Sequence, residues 1–140
     1  AQNIPGGFHC CAEDPENGYP FAYVSDRFLE ILGWEREEFA ARFDNRYTAL
    51  IHPDDLAAGL RYRNAENSAT YAKNGDSIFR ILGKNGYRWV TNAANQVEWY
   101  GKGYIVGTIT DITPYMELRE KLEQQNRGRR WKPPTIICCG

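Results

Sequence analysis

Ser77-Ile78-Phe79-Arg80-Ile81-Leu82-Gly83-Lys84-Asn85-Gly86-Tyr87-Arg88-Trp89-Val90-Thr91 is the stretch on which the fold turns. It holds two runs rich in β-branched and aromatic residues, a composition suited to a pleated, half-buried surface. Asn85-Gly86 lies between them. Both residues tolerate positive φ, which makes this pair the strongest short-range signal for a hairpin. The two runs are therefore predicted to be antiparallel neighbours. The second continues to about Tyr100, where Gly101-Lys102-Gly103 turns it into Tyr104-Ile105-Val106-Gly107-Thr108-Ile109-Thr110, a further strand. Upstream, Gly7-Phe8-His9-Cys10-Cys11-Ala12 and Phe21-Ala22-Tyr23-Val24 read as a pair joined by a wide loop dense in turn formers. Five strands result.

The segment between the two strand groups is helical in pattern. Ser25 stands where an N-cap hydroxyl accepts an orphan amide, Phe28, Ile31 and Leu32 recur at helical spacing, and Gly33 supplies a stop. Residues 36–43 form a second candidate, with Phe39 and Phe43 on one face and Glu37 and Glu38 near its N-terminus. Pro53 suits a first helical position and Asp54-Asp55 complement the helix dipole, so a third helix is predicted over residues 54–67. After the last strand, Thr113 as N-cap and Pro114 at the first turn open an amphipathic helix over residues 114–126. Its Tyr115, Leu118, Leu122 and Gln125 follow 3-4-3 spacing.

Composition narrows the class. Of 140 residues, 42% are hydrophobic and 25% charged, enough apolar material for a core and too much for a disordered chain. Seventeen basic residues against eighteen acidic ones leave no global field to attract nucleic acid or an anionic membrane. No run approaches the roughly 20 apolar residues of a membrane span. Met116 is the sole methionine and the chain opens Ala1-Gln2-Asn3, which reads as an excised piece. Cys10-Cys11 and Cys138-Cys139 are vicinal pairs without metal-binding or redox spacing. In a strand, His9 and Cys11 share one face and Cys10 takes the other, so the three do not converge on an ion, and small thiols in a reducing compartment are the simpler account.

Four motifs in order resemble those of the PAS domain family: Ile31-Leu32-Gly33-Trp34 with Glu37-Glu38-Phe39, Ile51-His52-Pro53-Asp54-Asp55, Arg80 to Gly86 followed by Arg88-Trp89-Val90, and Gly107-Thr108-Ile109-Thr110-Asp111-Ile112-Thr113. The resemblance covers about residues 4–126. It implies an α+β fold, a five-stranded antiparallel sheet with short helices on one face and a C-terminal amphipathic helix. It divides the chain into a sensory domain over residues 4–113, a linker helix over residues 114–126 and a basic tail over residues 127–140. It also implies a cytoplasmic sensory and dimerisation module of a larger bacterial signalling protein, covalently linked to a histidine kinase or diguanylate cyclase. One departure is Glu35, where the family often places a Ser or Thr cap, so this helix start must rely on its acidic first turn.

No nucleophile beside a base, no spaced carboxylate pair and no phosphate-cradling loop is present, so catalysis is not expected. Flavin photoreceptors of the family need a reactive cysteine where this chain has Asn45-Arg46-Tyr47, which excludes the photoadduct. His52 is the candidate axial ligand for haem, but its place directly before Pro53 suits a turn cap better. Candidate walls for a small-molecule pocket are Phe28, Ile31, Phe39, Phe43, Tyr47, Leu50, Phe79 and Trp89, residues that equally suit a filled core. Asp111 and Thr113 join the last strand to the exit helix and are the candidate transmission joint. Apolar residues in both alternation phases, such as Ile78 and Phe79, leave an outer sheet face to be covered, so a homodimer through that face and the terminal helix is expected. The alternative is nucleic-acid binding by Arg127-Gly128-Arg129-Arg130-Trp131-Lys132, for which a solvated linker is the simpler account.

Overall fold

The computed structural model describes residues 6–74 and 77–128. Strands β1 (Gly7–Ala12), β2 (Phe21–Val24), β3 (Ser77–Gly83), β4 (Gly86–Trp99) and β5 (Lys102–Asp111) form one antiparallel sheet in the order β2-β1-β5-β4-β3. The hairpin at residues 83–86 closes with Gly83 opposite Gly86. Only Gly86 there takes positive φ; Asn85 does not. A second tight hairpin pairs Trp99 with Lys102, and here Tyr100 and Gly101 both lie in the left-handed region, at φ 51° and 76°.

The helices cover one face. In α1 (Asp26–Leu32) the Ser25 hydroxyl accepts the Phe28 amide at 3.1 Å, and Gly33 ends the helix at φ 81°. In α2 (Arg36–Arg42) the Glu38 carboxylate accepts the Glu35 amide at 3.2 Å, so the first-turn acid does the capping that Glu35 was expected to lack. A single turn, α3 (Tyr47–Leu50), follows. The core lies between these helices and the sheet: Phe28, Phe39, Phe43, Tyr47 and Leu50 meet Phe79, Ile81, Val90 and Ile109.

The helix expected over residues 54–67 is not one helix. A 3-10 turn at Pro53–Asp55 leads into α4 (Leu56–Gly59), residues 60–67 form an irregular strap, and α5 (Ser68–Asn74) follows. Three features break it. A Cβ at Gly59 would lie 2.8 Å from the Ile51 side chain, and glycine is a poor helix former. The Arg63 backbone pairs with the sheet, its amide donating to Ala94 O at 2.8 Å and its carbonyl accepting from Gln96 at 2.7 Å. Asn64 and Asn67 bond backbone amides with their side chains, the local competition that disfavours helix interiors.

The exit helix α6 spans Thr113–Gly128. The tail from Arg129 onward, Cys138-Cys139 included, lies outside the described residues.

Candidate functional site

The sheet's inner face carries a buried polar pair. His9 on β1 and Asn92 on β4 are each about 1% exposed, and β5 runs between them. They meet above Gly107, which is opposite His9 on one side and Ala94 on the other. A Cβ at Gly107 would stand 2.7 Å from both the His9 Nε2 and the Asn92 Oδ1, so only glycine lets the side chains join across the strand. With Asn92 Oδ1 as acceptor at 3.2 Å, Nε2 carries the imidazole proton. The ring stacks on Tyr47 at 5.2 Å. Burial lowers the His9 pKa to about 4, against the opposing pull of the Asn92 bond, so the imidazole is neutral at pH 7. Burial likewise pushes the Cys11 thiol and the Tyr47 phenol well up, keeping both protonated.

Beside this pair lies a cavity lined by His9, Cys11, Tyr47, Asn92, Ala94 and Ile105 from the core and by Tyr19 and residues 59–62 from the loops. The space open to a water centre is about 10 Å³, room for roughly one molecule. Its rim is polar. The Tyr62 hydroxyl donates to Glu13 at 2.7 Å, and the Gln96 amide donates to the same carboxylate at 3.1 Å. Desolvation first, then the Glu13 bond, raises the Tyr62 phenol.

Of the eight residues expected as pocket walls, Tyr47 alone lines this cavity. Phe28, Phe39, Phe43, Leu50 and Phe79 are buried against one another and fill the core, and Ile31 packs at its margin. Trp89 is a correction. Alternation along β4 sends Val90 inward and Trp89 to the opposite face, where its ring receives the Arg80 guanidinium at 5.0 Å and borders a groove with Met116, Arg119, Glu120 and Glu123 of α6.

Asp111 and Thr113 stand together where β5 passes into α6. Asp111 Oδ2 accepts Arg88 Nη2 at 2.7 Å and Nε at 3.1 Å, while Oδ1 accepts the Thr113 amide at 2.9 Å. Burial alone would raise the Asp111 carboxyl, but the bonds from Thr113 and Arg88 outweigh it and hold the group below the usual carboxylate range. The Thr113 hydroxyl accepts the Trp89 amide at 2.8 Å. That bond differs from the expected one: Asp111 satisfies the amide at the helix start, and Thr113 ties the helix to β4.

Residues 21–109 match the family model described as the PAS fold. The chain belongs to the PAS family. No curated protein sequence matches it. Among solved structures, this PAS domain is similar to a sensory box histidine kinase/response regulator from Burkholderia thailandensis E264, at 23% identity and TM-score 0.61 over 92% of this chain and 93% of that one. It is similar to an RNA-binding light-oxygen-voltage receptor at 17% identity and TM-score 0.58, covering 91% of this chain and 35% of the receptor. A PAS domain from a two-component sensor histidine kinase aligns at 13% identity and TM-score 0.51, over 78% of this chain and 86% of that one. These likenesses establish the fold.

Within the PAS frame, His52 Nδ1 accepts the Asp54 amide at 3.0 Å, the turn-cap role expected of it. Among the described residues no group of three His, Cys, Asp or Glu side chains is placed to hold a metal. From sequence alone, His9 reads only as part of the His9-Cys10-Cys11 trio, and its pairing with Asn92 is missed. Their signal was Gly107, an isolated glycine inside a strand pattern, which marks close approach of other groups.

Proposed function

We propose that this PAS domain is a cytoplasmic sensory and dimerisation module that relays a change in its interior through α6 to a covalently linked output domain, a histidine kinase or a diguanylate cyclase. The observation that carries the reading is the joint at Asp111 and Thr113. Side chains from both residues anchor the first turn of α6 to β4 and β5. A shift of either strand therefore displaces the helix start, because charge-assisted and geometry-specific bonds transmit a displacement that loose packing would absorb.

The dimer half of the proposal rests on exposed apolar surface. Tyr115, Leu118 and Leu122 are each more than half exposed at a spacing that forms one stripe along α6. Phe8, Tyr23 and Ile78 are exposed on the sheet face turned away from the helices. A second copy covers both stripes at once through a two-fold interface.

Sedimentation equilibrium of the chain is expected to give a dimer that Leu118→Lys and Leu122→Lys dissociate. A monomer at millimolar concentration rejects the dimer. In the full-length protein, Thr113→Ala is expected to uncouple output activity from the signal; unchanged regulation leaves Thr113 a purely structural role.

A further inference from the structure

The β4–β5 hairpin projects past its neighbours in the sheet. Pairing with β3 ends at Asn92 and pairing with β1 ends at Tyr104, while the last partners of the hairpin, Glu98 with Gly103 and Trp99 with Lys102, extend beyond both. Its tip is aromatic and bare. Trp99 and Tyr100 are 63% and 91% exposed, their rings meeting edge to face at 4.9 Å. Val97 shares a face with Trp99 by strand alternation and is exposed too; Tyr104, opposite Val97, continues the row, with Lys102 Nζ 5.8 Å from the centre of its ring. Tyr100 holds φ 51°, a conformation that suits glycine or asparagine and disfavours a residue bearing a ring. Local stability does not account for a strained aromatic residue left in solvent, and such outliers mark functional contacts.

The other face of the hairpin's base is acidic. Gln96 donates to Glu13 at 3.1 Å and to Glu98 at 2.9 Å, holding both carboxylates there, and the Glu13 amide donates to Gly103 O at 3.0 Å. Asp14 and Glu16 follow on the same loop. Among the described residues none of these four carboxylates is in an ion pair. A segment crossing the tip therefore meets flat rings on one side and carboxylates on the other. That combination fits a basic segment containing proline: aromatic rings pack on prolines, whose φ is already fixed, and carboxylates take the flanking guanidinium groups. The same carboxylates disfavour an anionic membrane, the other surface that Trp and Tyr suit.

The chain carries such a segment. After α6 the sequence reads Arg129-Arg130-Trp131-Lys132-Pro133-Pro134, and no acidic residue occurs from Arg127 to Gly140. α6 starts at the end of β5 remote from the tip, ten residues or roughly 33 Å away, and is covered only in its first turn, every residue from Glu117 to Arg127 being exposed. The segment thus follows a helix that leaves its own sheet, which favours a neighbour's tip over its own. We propose that residues 129–134 of one copy dock on the Trp99–Tyr100 hairpin tip of a second copy. The proposal deepens the dimer reading with a contact outside the sheet face and the α6 stripe, and rests on that reading only for the presence of the second copy.

The test follows the Glu98 and Gly101 amide signals of the full 140-residue chain by NMR. In the parent they are expected to shift saturably as the concentration rises. The double variant Arg129→Glu, Arg130→Glu is expected to lose that shift, and a synthetic peptide of residues 127–136 to restore it. Adding Trp99→Ser and Tyr100→Asn to this variant is expected to weaken the peptide by about tenfold or more while circular dichroism stays native. Tip signals that ignore both concentration and peptide, a shift in the parent that is independent of concentration, or equal peptide binding with and without Trp99 and Tyr100 overturn the proposal. So do tip signals that respond to phosphatidylglycerol vesicles and not to the peptide. Peptide binding at the tip of a Leu118→Lys, Leu122→Lys variant that sediments as a monomer rejects the dimer through α6 and leaves the tip contact standing; a dimer whose tip ignores the peptide does the reverse.

Discussion

The most direct physical test of the buried polar pair is acid. His9 is neutral in the folded chain because burial lowers its pKa from 6.5 to about 4. In the unfolded chain it takes a proton as pH falls through about 6.5; in the native one it does not until about 4. The unfolded state therefore binds more protons across this window, and stability is lost as pH falls within it. The full loss is about 3 kcal/mol, of which about 2 kcal/mol has gone by pH 5. Asp55 and Asp111 are lowered too, but from the carboxylate range, below this window. Arg80 holds the Asp55 carboxyl down, and the Thr113 and Arg88 bonds hold Asp111 down, so their stabilisation persists through this window and fails only at lower pH. Urea unfolding followed by tryptophan fluorescence at pH 7 and pH 5 reads the difference. His9→Gln keeps a donor for Asn92 and removes the titration, so its stability is expected to change by about 2 kcal/mol less than that of the parent over the same step. Equal acid sensitivity in the two proteins refutes the assignment of a desolvated, neutral imidazole.

Asp55 receives three hydrogen bonds from Arg80, the amide at 2.9 Å, Nε at 2.8 Å and Nη2 at 2.9 Å, and the pair is largely shielded. Asp55→Ala leaves those donors unpaired and is expected to cost about 2–3 kcal/mol in urea unfolding. Gly107→Ala drives a methyl into His9 and Asn92, so a loss of about 1–3 kcal/mol together with a displaced His9 imidazole resonance is expected. Tyr100 occupies positive φ in a two-residue turn while 91% exposed, so Tyr100→Asn is expected to raise stability by about 1 kcal/mol in the same assay.

The strands were legible because their signals are local. Asn85-Gly86 and Gly101 sit at turns, and the alternation of Ser77, Phe79 and Ile81 against Ile78 and Arg80 matches burial residue for residue. Ser25 and Gly33 bound α1 as read. The failures share one cause, namely partners distant in sequence. The stretch 54–67 carried a helix-start signal, yet Ile51 crowds Gly59 and β4 captures the Arg63 backbone, neither of which a local window reveals. Trp89 reads as an interior wall with the other aromatic residues, whereas the strand's phase, set by Val90 and Asn92, puts it outside. The cavity was misplaced for a related reason. Aromatic residues mark a core that packs full, and the small void lies instead between the His9–Asn92 pair and residues 59–62.

One strand touches both ends of the proposed signal route. β4 pairs with the strap through Ala94 and Gln96, and with the first turn of α6 through Trp89. Nearness alone does not establish energetic coupling; that requires β4 to have two arrangements which both ends bias. The strap is readily displaced, since the Tyr62 bond to Glu13, the Arg61 bond to Ser77 and two backbone bonds fasten it where the core is fastened by interlocked rings. Tyr62→Phe deletes that side-chain bond and leaves α6 untouched. If β4 couples the two sites, amide exchange at Trp89 and Thr113 accelerates in this variant by the same factor as exchange at Arg63 and Gln96. Acceleration confined to Arg63 and Gln96 means that the sheet insulates the exit helix from the cavity, and a signal must then reach α6 from the dimer face instead.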